Sequence, residues 1–187
     1  MAPGRNDAVG TGMTELVWVF GYGSLMWRPG FEPAARVPTR ISGFHRWLCM
    51  ESHSRWGTPE APGLVMGLLP GGSCKGLALG VEREAAADVL AYLDGREGPP
   101  YRRGTVRLRI GGRAVEAITY LSRADHPMFV GKLPADEAAR KVRAGNGTAG
   151  SSREYLENTV RYLADVGIAD RGLLGILRSV EAVDGGT

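Results

Sequence analysis

The most informative stretch of the chain is LVWVFGYGSLMW, which spans residues 16–27. Its first five residues are apolar and rich in β-branched and aromatic side chains, as in a buried β-strand, and glycines end the strand. Two closely spaced glycines let a backbone approach a ligand and adopt positive φ angles. Successive N–H groups in such a turn can bind an anion or a developing oxyanion. A plain tight turn is the alternative interpretation.

The candidate ligand-binding residues of this turn are Gly21, Tyr22, Gly23, Ser24, Leu25 and Met26. A nucleotide site is not predicted, because the third glycine of the dinucleotide fingerprint and the Lys-Ser/Thr pair of the phosphate loop are missing. Ser24 does not lie in the Gly-x-Ser-x-Gly pattern of a nucleophilic serine. We therefore expect Ser24 to act through hydrogen bonding.

Alternating apolar residues predict a β-rich first half. Strands are predicted at residues 40–51, 64–69, 76–81, 106–110 and 115–119. Loops are predicted at residues 30–38 and 57–63, where prolines and glycines cluster, and Pro70 is predicted to end a strand. The Gly111-Gly112 pair between the last two strands predicts a β-hairpin with a two-residue turn.

A helix is predicted over residues 82–95, with one apolar face and a stop at Gly95. It leads into the segment DGREGPPY, residues 94–101. A carboxylate on a loop framed by glycine and proline is held by the backbone, and catalytic side chains concentrate on such loops. Glu97 is therefore a candidate catalytic residue. The alternative interpretation places Arg96 and Glu97 at the solvated end of a helix.

Two or three helices are predicted to close the chain. One covers residues 134–144, and a second begins at a capping box formed by Ser151 and Glu154. Asp170 can cap a third helix over residues 173–180. The order of strands, helix, hairpin and helices predicts a single mixed α+β domain.

The length and composition of the chain are those of one globular domain. It has 187 residues, of which 43% are hydrophobic and 23% charged. Residues 1–15 are small, polar and unpatterned, so they are predicted to be a disordered leader. The folded domain is predicted to span residues 16–183.

Several functional classes are disfavoured by the sequence. The net charge is only +3 and the basic residues form no stripe, so no nucleic-acid partner is expected. The longest uncharged apolar stretch has 12 residues, which is too short to cross a membrane. The two cysteines lack a partner motif and no secretory cleavage site is present, so a cytoplasmic location is predicted. The three histidines lack metal-ligand spacing, and no cofactor is expected.

Four segments in this order resemble the ChaC family of γ-glutamylcyclotransferases, which act on glutathione. Residues 18–27 are close to the family's FGYGSLxW signature, and residues 57–63 resemble its GTPxxPG stretch. Residues 92–97 match its YLDxRE motif, and Tyr101 takes the place of the tyrosine in GGY. Residues 152–156 resemble its NxEYL element.

The resemblance covers roughly residues 17–163 and implies a mixed sheet closed toward a barrel, with helices packed outside. It also implies that the α-amino group of glutathione attacks its own γ-carbonyl carbon, which gives 5-oxoproline and Cys-Gly without a metal, nucleotide or redox cofactor. In that reaction Glu97 would be the general acid/base and Tyr101 would bind the substrate. Backbone N–H groups of residues 21–25 would hold the substrate carboxylate or the oxyanion.

Two alternative functions stay open. Residues 50–57 differ from the family's GSTDHRG segment, and Leu64 replaces its usual basic residue. The second hypothesis is therefore a cyclotransferase for another γ-glutamyl amino acid or amine. A third hypothesis is a non-catalytic regulatory protein of the same fold, which would have little reason to keep Glu97 beside an intact glycine turn.

Overall fold

The protein is described by a computed structural model that covers residues 16–184, with side chains to residue 182. The predicted leader, residues 1–15, lies outside the described residues. The strands are β1 (Val17–Gly21), β2 (Ala35–Ser52), β3 (Gly63–Val81), β4 (Tyr101–Ile110), β5 (Arg113–Ser122), β6 (Asn146–Gly147) and β7 (Gly150–Ser151). The helices are a 3-10 turn at Ser24–Met26, α1 (Ala86–Glu97), α2 (Ala135–Ala144), α3 (Ser152–Asp165) and α4 (Arg171–Asp184).

Five strands form one mixed sheet in the order β2-β3-β1-β5-β4. The central strand β1 is antiparallel to β3 and parallel to β5. The two outer strands approach each other, and the Thr39 hydroxyl donates a hydrogen bond to the Arg109 carbonyl at 3.2 Å. The sheet is thus curled into a half-barrel, which confirms the predicted α+β domain. In the described part of the chain, none of the helices combines the length and apolar character needed to cross a membrane.

The two strand ends predicted at prolines are wrong. The loop predicted to end at Pro38 is already strand from Ala35, and the two strands predicted around Pro70 are one strand, β3. Pro38 lies in β2, which is an edge strand of the sheet. Pro70 lies in a part of β3 that pairs with β2 on one side only, because β3 pairs with β1 only over residues 77–81. The pairing also shifts register at Gly43. Edges and bulges are where a sheet accepts a residue without an N–H group.

Helix α1 begins four residues later than predicted and continues through Gly95 to Glu97. It ends at Gly98, which has a φ of 62° and donates its N–H to the Asp94 carbonyl at 2.9 Å. A glycine in this conformation is a common helix terminator. The candidate carboxylate is therefore the last helical residue and not a loop residue, so the rigid helix fixes its backbone.

The predicted hairpin turn and the predicted caps of the last two helices are confirmed, although β4 begins five residues earlier than predicted and α4 is longer at both ends. The β4–β5 hairpin turns at two glycines that both have positive φ. The Ser151 hydroxyl accepts the Glu154 N–H at 3.1 Å, and the Glu154 carboxylate accepts the Ser151 N–H at 2.7 Å. The Asp170 carboxylate accepts the Leu173 N–H at 3.2 Å at the start of α4. These caps satisfy backbone donors that a helix start leaves unpaired.

Candidate active site

A cavity of about 380 Å³ opens where the 3-10 turn, the end of β2 and the end of α1 meet. Its volume lies within the usual range for a small-molecule site. The lining consists of residues 22–25, residues 51–56, residues 96–101 and Val65, Met66, Tyr120, His126, Met128 and Tyr155. The cavity therefore brings together segments that are far apart in the sequence.

Six of the eight predicted site residues line this cavity, namely Tyr22, Gly23, Ser24, Leu25, Glu97 and Tyr101. Gly21 and Met26 are not among the lining residues. A Cβ on Gly21 would lie 3.1 Å from the Cβ of Leu25, and Met26 is fully buried. These two residues therefore pack behind the turn, on the side that faces away from the cavity.

The glycine turn packs tightly against α3 and β3. Gly23 has a φ of −132°, and neither Gly21 nor Gly23 is among the described glycines with positive φ, so the expected left-handed conformation is wrong. A Cβ on Gly23 would lie only 2.8 Å from the Tyr155 hydroxyl and 3.1 Å from the Met66 Cβ. Glycine is required here because a side chain would occupy the space of neighbouring protein atoms.

Three of the tyrosines that line the cavity connect its lining segments through hydrogen bonds of their hydroxyl groups. The Tyr22 hydroxyl donates to the Tyr120 carbonyl at 2.5 Å, and the Tyr101 hydroxyl donates to the Met66 carbonyl at 2.7 Å. The Tyr155 hydroxyl accepts the Met66 N–H at 3.1 Å. Burial raises the pKa of all three phenols above the ordinary value. They are therefore neutral hydrogen-bonding groups at physiological pH.

Glu97 presents a mostly buried carboxyl to the cavity. Its side chain is 17% exposed. Burial raises the pKa of Glu97 above its ordinary value, because a carboxylate loses hydration there, while the charges of Arg96 and Arg55 act in the opposite direction. A carboxyl whose pKa is raised binds a proton more readily than an ordinary carboxyl, a property that suits a general acid/base.

Arg96 connects the end of α1 to the glycine turn. Its guanidinium donates to the carbonyls of Arg28 and Pro29 at 2.7 and 2.9 Å and to the Ser24 hydroxyl at 3.0 Å. Its Nε lies 3.6 Å from a carboxylate oxygen of Glu97. The side chain is only 5% exposed, so the solvated helix end considered above is wrong. Sequence reasoning did not identify Arg96 as a site residue.

Tyr120 is a second residue that sequence reasoning missed. Its hydroxyl donates to the Asp94 carboxylate at 2.8 Å, and Arg103 forms an ion pair with the same carboxylate. The hydrogen bonds from Arg103 and Tyr120 hold the pKa of Asp94 below its ordinary value. Asp94 does not line the cavity, so this network fixes the orientation of Tyr120 from outside the site.

Residues 51–56 form a charged wall that was not predicted as part of the site. The Glu51 carboxylate accepts from the Lys141 ammonium at 2.7 Å and lies 2.8 Å from Nε2 of His53. Burial opposes ionisation of Glu51, but the hydrogen bonds from Lys141 and His53 outweigh it and lower its pKa. Glu51 is thus an ionised, paired carboxylate, and Arg55 completes the charged side chains of this wall.

The wall continues into an aromatic cluster and a tight loop. The Trp56 ring packs edge-on against Tyr155 at a centroid distance of 5.1 Å and against Trp27 at 6.0 Å. A Cβ on Gly57 would collide with the backbone nitrogen of Gly63. The glycines of this loop are therefore required by close contact between two backbone segments.

No group of three or more His, Cys, Asp or Glu side chains that could hold a metal ion is found among the described residues.

Known proteins of similar sequence are described as ChaC-like proteins or γ-glutamylcyclotransferases. The sequence model of the ChaC family, described as ChaC-like protein, matches residues 17–183. The chain is 32% identical over 168 residues to the glutathione-specific γ-glutamylcyclotransferase of Escherichia coli strain K12, covering 88% of this chain and 73% of that protein. It is 28% identical over 178 residues to γ-glutamylcyclotransferase 2-3 of Arabidopsis thaliana, covering 89% of each chain.

A solved structure agrees in fold. The chain resembles the crystal structure of a γ-glutamyl cyclotransferase specific to glutathione from yeast, with a TM-score of 0.83 and 25% sequence identity. The superposition covers 90% of this chain and 96% of the yeast chain. The family match, the sequence relatives and the shared half-barrel all lead to one conclusion: this chain belongs to the ChaC-like protein family.

Proposed function

We propose that this protein is a γ-glutamylcyclotransferase that converts glutathione into 5-oxoproline and Cys-Gly. The observation that carries the proposal is the Glu97 carboxyl, which is 17% exposed, has a raised pKa and lines the same cavity as the glycine turn. The relatives from Escherichia coli and yeast, which are named for glutathione, support this substrate.

The reaction is an intramolecular acyl transfer. The α-amino nitrogen of the γ-glutamyl group attacks the γ-carbonyl carbon and forms the C–N bond of a five-membered ring. The amide bond to cysteine then breaks, and the cysteine nitrogen leaves as an amine. Since both reacting groups belong to one molecule, the cavity has only to hold the arm in a folded shape, an ordering effect that contributes at most about 7–11 kcal/mol.

Glu97 would transfer the protons of this reaction. The α-amino group is an ammonium at neutral pH and cannot attack until it loses a proton. Glu97 in its carboxylate form accepts that proton and then delivers it to the departing cysteine nitrogen. The attacking nitrogen loses a second proton when it becomes the lactam nitrogen, and this proton also ends on the cysteine amine, which is released as an ammonium. One carboxyl can perform both steps because its raised pKa brings the energies of its protonated and ionised forms closer together near neutral pH.

The glycine turn and its neighbours would bind the γ-glutamyl group. Tyr22, Gly23, Ser24 and Leu25 line the cavity at the start of the 3-10 turn, where backbone N–H groups suit a carboxylate or an oxyanion. Tyr101 offers a neutral phenol on the same cavity. Gly21 and Met26 would contribute through the shape of the turn.

The first prediction is that purified protein incubated with glutathione releases 5-oxoproline and Cys-Gly in equal amounts. Ring closure consumes no water, so mass spectrometry should detect no free glutamate. A parallel reaction with γ-glutamyl-alanine, which should be the slower substrate, separates glutathione specificity from general γ-glutamyl specificity. Free glutamate as the main product would contradict the proposal, because it would identify water as the nucleophile.

A further inference from the structure

The charged wall, residues 51–56, takes no part in the proton transfers described above. Its carboxylate, Glu51, is already occupied, because one oxygen accepts from Lys141 and the other is hydrogen-bonded to His53. Glu51 therefore does not neutralise the other charged side chain of the wall. That side chain is Arg55, which is half-buried and lines the cavity.

Arg55 is a cation whose guanidinium forms no hydrogen bond or ion pair with another group in residues 16–184. The other guanidinium in the lining, Arg96, is occupied by the carbonyls of the segment after the 3-10 turn. Since arginine is always protonated in proteins, Arg55 supplies a permanent and available positive charge to the cavity. Its charge also acts on Glu97, where it partly offsets the increase in pKa that burial causes.

The backbone that carries Arg55 is fixed on both sides. The Arg55 carbonyl accepts the Ala149 N–H at 2.8 Å, and the Ser54 carbonyl accepts the Thr148 N–H at 2.9 Å. The next N–H, of Trp56, donates to the Ser52 hydroxyl at 3.0 Å. The backbone that carries this cavity-lining side chain is therefore held in place, which reduces the entropy lost when the guanidinium binds a ligand.

The charges around the cavity match those of the proposed substrate. The lining contains the carboxylates Glu51 and Glu97 and the cations Arg55 and Arg96. Beside it lie Lys141, which pairs with Glu51, and the Asp94–Arg103 pair, whose charges cancel. With both carboxylates ionised, one positive charge is in excess. Glutathione carries two carboxylates and one ammonium at neutral pH, so it brings one negative charge in excess.

We infer that Arg55 binds the C-terminal carboxylate of the substrate and so selects γ-glutamyl donors whose leaving group carries an acid. The inference rests on the proposed function. The two carboxylates of glutathione lie at opposite ends of the peptide, so the glycine turn that serves the first cannot also serve the second. A guanidinium is suited to the second because it donates two parallel hydrogen bonds to a carboxylate.

The test compares glutathione with its C-terminal amide, which differs only in this carboxylate. In the wild-type protein we expect kcat/KM to favour the free acid by about 10- to 100-fold, the usual effect of a charge-assisted hydrogen bond. In Arg55→Gln the preference should fall to about one, and Arg55→Lys should retain part of it. The control is Arg107→Gln, an exposed arginine on β4, which should keep the wild-type preference.

Binding measurements make the outcome independent of turnover. Dissociation constants for the acid and the amide, measured by calorimetry on the same variants, should show the same loss of preference in Arg55→Gln. An equal effect of Arg55→Gln on both ligands, or an unchanged preference, overturns the inference. If the wild-type protein binds but converts neither ligand, the proposed function is wrong, and the binding preference alone decides on Arg55.

Discussion

The Glu97 carboxyl is subject to two opposing influences. Burial favours its neutral form, while the guanidinium groups of Arg96 and Arg55 favour its ionised form. Burial is the larger effect, so the pKa is raised. A raised pKa makes Glu97 a stronger proton acceptor than an ordinary carboxylate, which is what the proposed role as the base requires.

Replacing Glu97 by glutamine should abolish proton transfer while keeping the shape of the side chain. We expect kcat/KM for glutathione to fall by about 10²- to 10⁴-fold, the usual contribution of a general acid/base. Calorimetry should still detect glutathione binding by Glu97→Gln, and thermal melting should show a folded protein. Wild-type turnover in this variant would show that another group is the base.

The raised pKa of Glu97 predicts a pH dependence of known sign. With Glu97 as the proposed base, activity would require its carboxylate form, so kcat/KM should rise as the pH increases through the folded-state pKa. Stability should change in the opposite direction, because the folded state holds the proton more tightly than the unfolded state and loses this advantage as the pH rises through the same pKa. Urea denaturation at several pH values should therefore show Glu97→Gln gaining stability relative to the wild type as the pH rises, and a constant difference would contradict the raised pKa.

The 3-10 turn is positioned by its contacts with three other elements. The absence of a side chain on Gly23 lets the turn approach the Tyr155 hydroxyl of α3 and Met66 of β3. Arg96 at the end of α1 donates to the segment that follows the turn and to the Ser24 hydroxyl. The turn, helix and sheet are thus connected at the point where the γ-glutamyl group would bind.

A branched side chain in this turn should disturb both stability and binding. We expect Gly23→Val to destabilise the protein by about 1–3 kcal/mol, the usual cost of overpacking, and to raise KM for glutathione because Tyr155 must move. The matched control is Gly95→Ala in α1, where a Cβ meets no atom within 4 Å and alanine favours the helix. Urea denaturation and steady-state kinetics measure the two effects, and an unchanged KM in Gly23→Val would contradict the role of the turn.

The curled sheet determines where the site lies in the whole molecule. Strands β2 and β4 are the outer strands of the sheet, and their approach turns it into a half-barrel. The cavity is lined by the end of β2, by the turn after β1 and by the end of α1. A cytoplasmic location and the absence of a nucleic-acid partner stay predictions from composition and charge pattern.

Local signals in the sequence were sufficient for the hairpin turn and for the start of α3. The Gly111-Gly112 turn and the capping box at Ser151 were predicted correctly because turn chemistry and helix caps involve residues only a few positions apart. The ordered motifs were also sufficient to identify the family and to single out Glu97 as the candidate base.

Only the tertiary structure decided which side chains share the cavity. Arg96 reaches the carbonyl of Arg28, which lies 68 positions earlier, and residues 51–56 join the cavity beyond a register shift after Leu48. Such contacts depend on how the sheet curls. They also depend on β3 continuing as one strand through Pro70. The periodicity of neighbouring residues does not encode these features, because they arise from packing between segments that are distant in the chain.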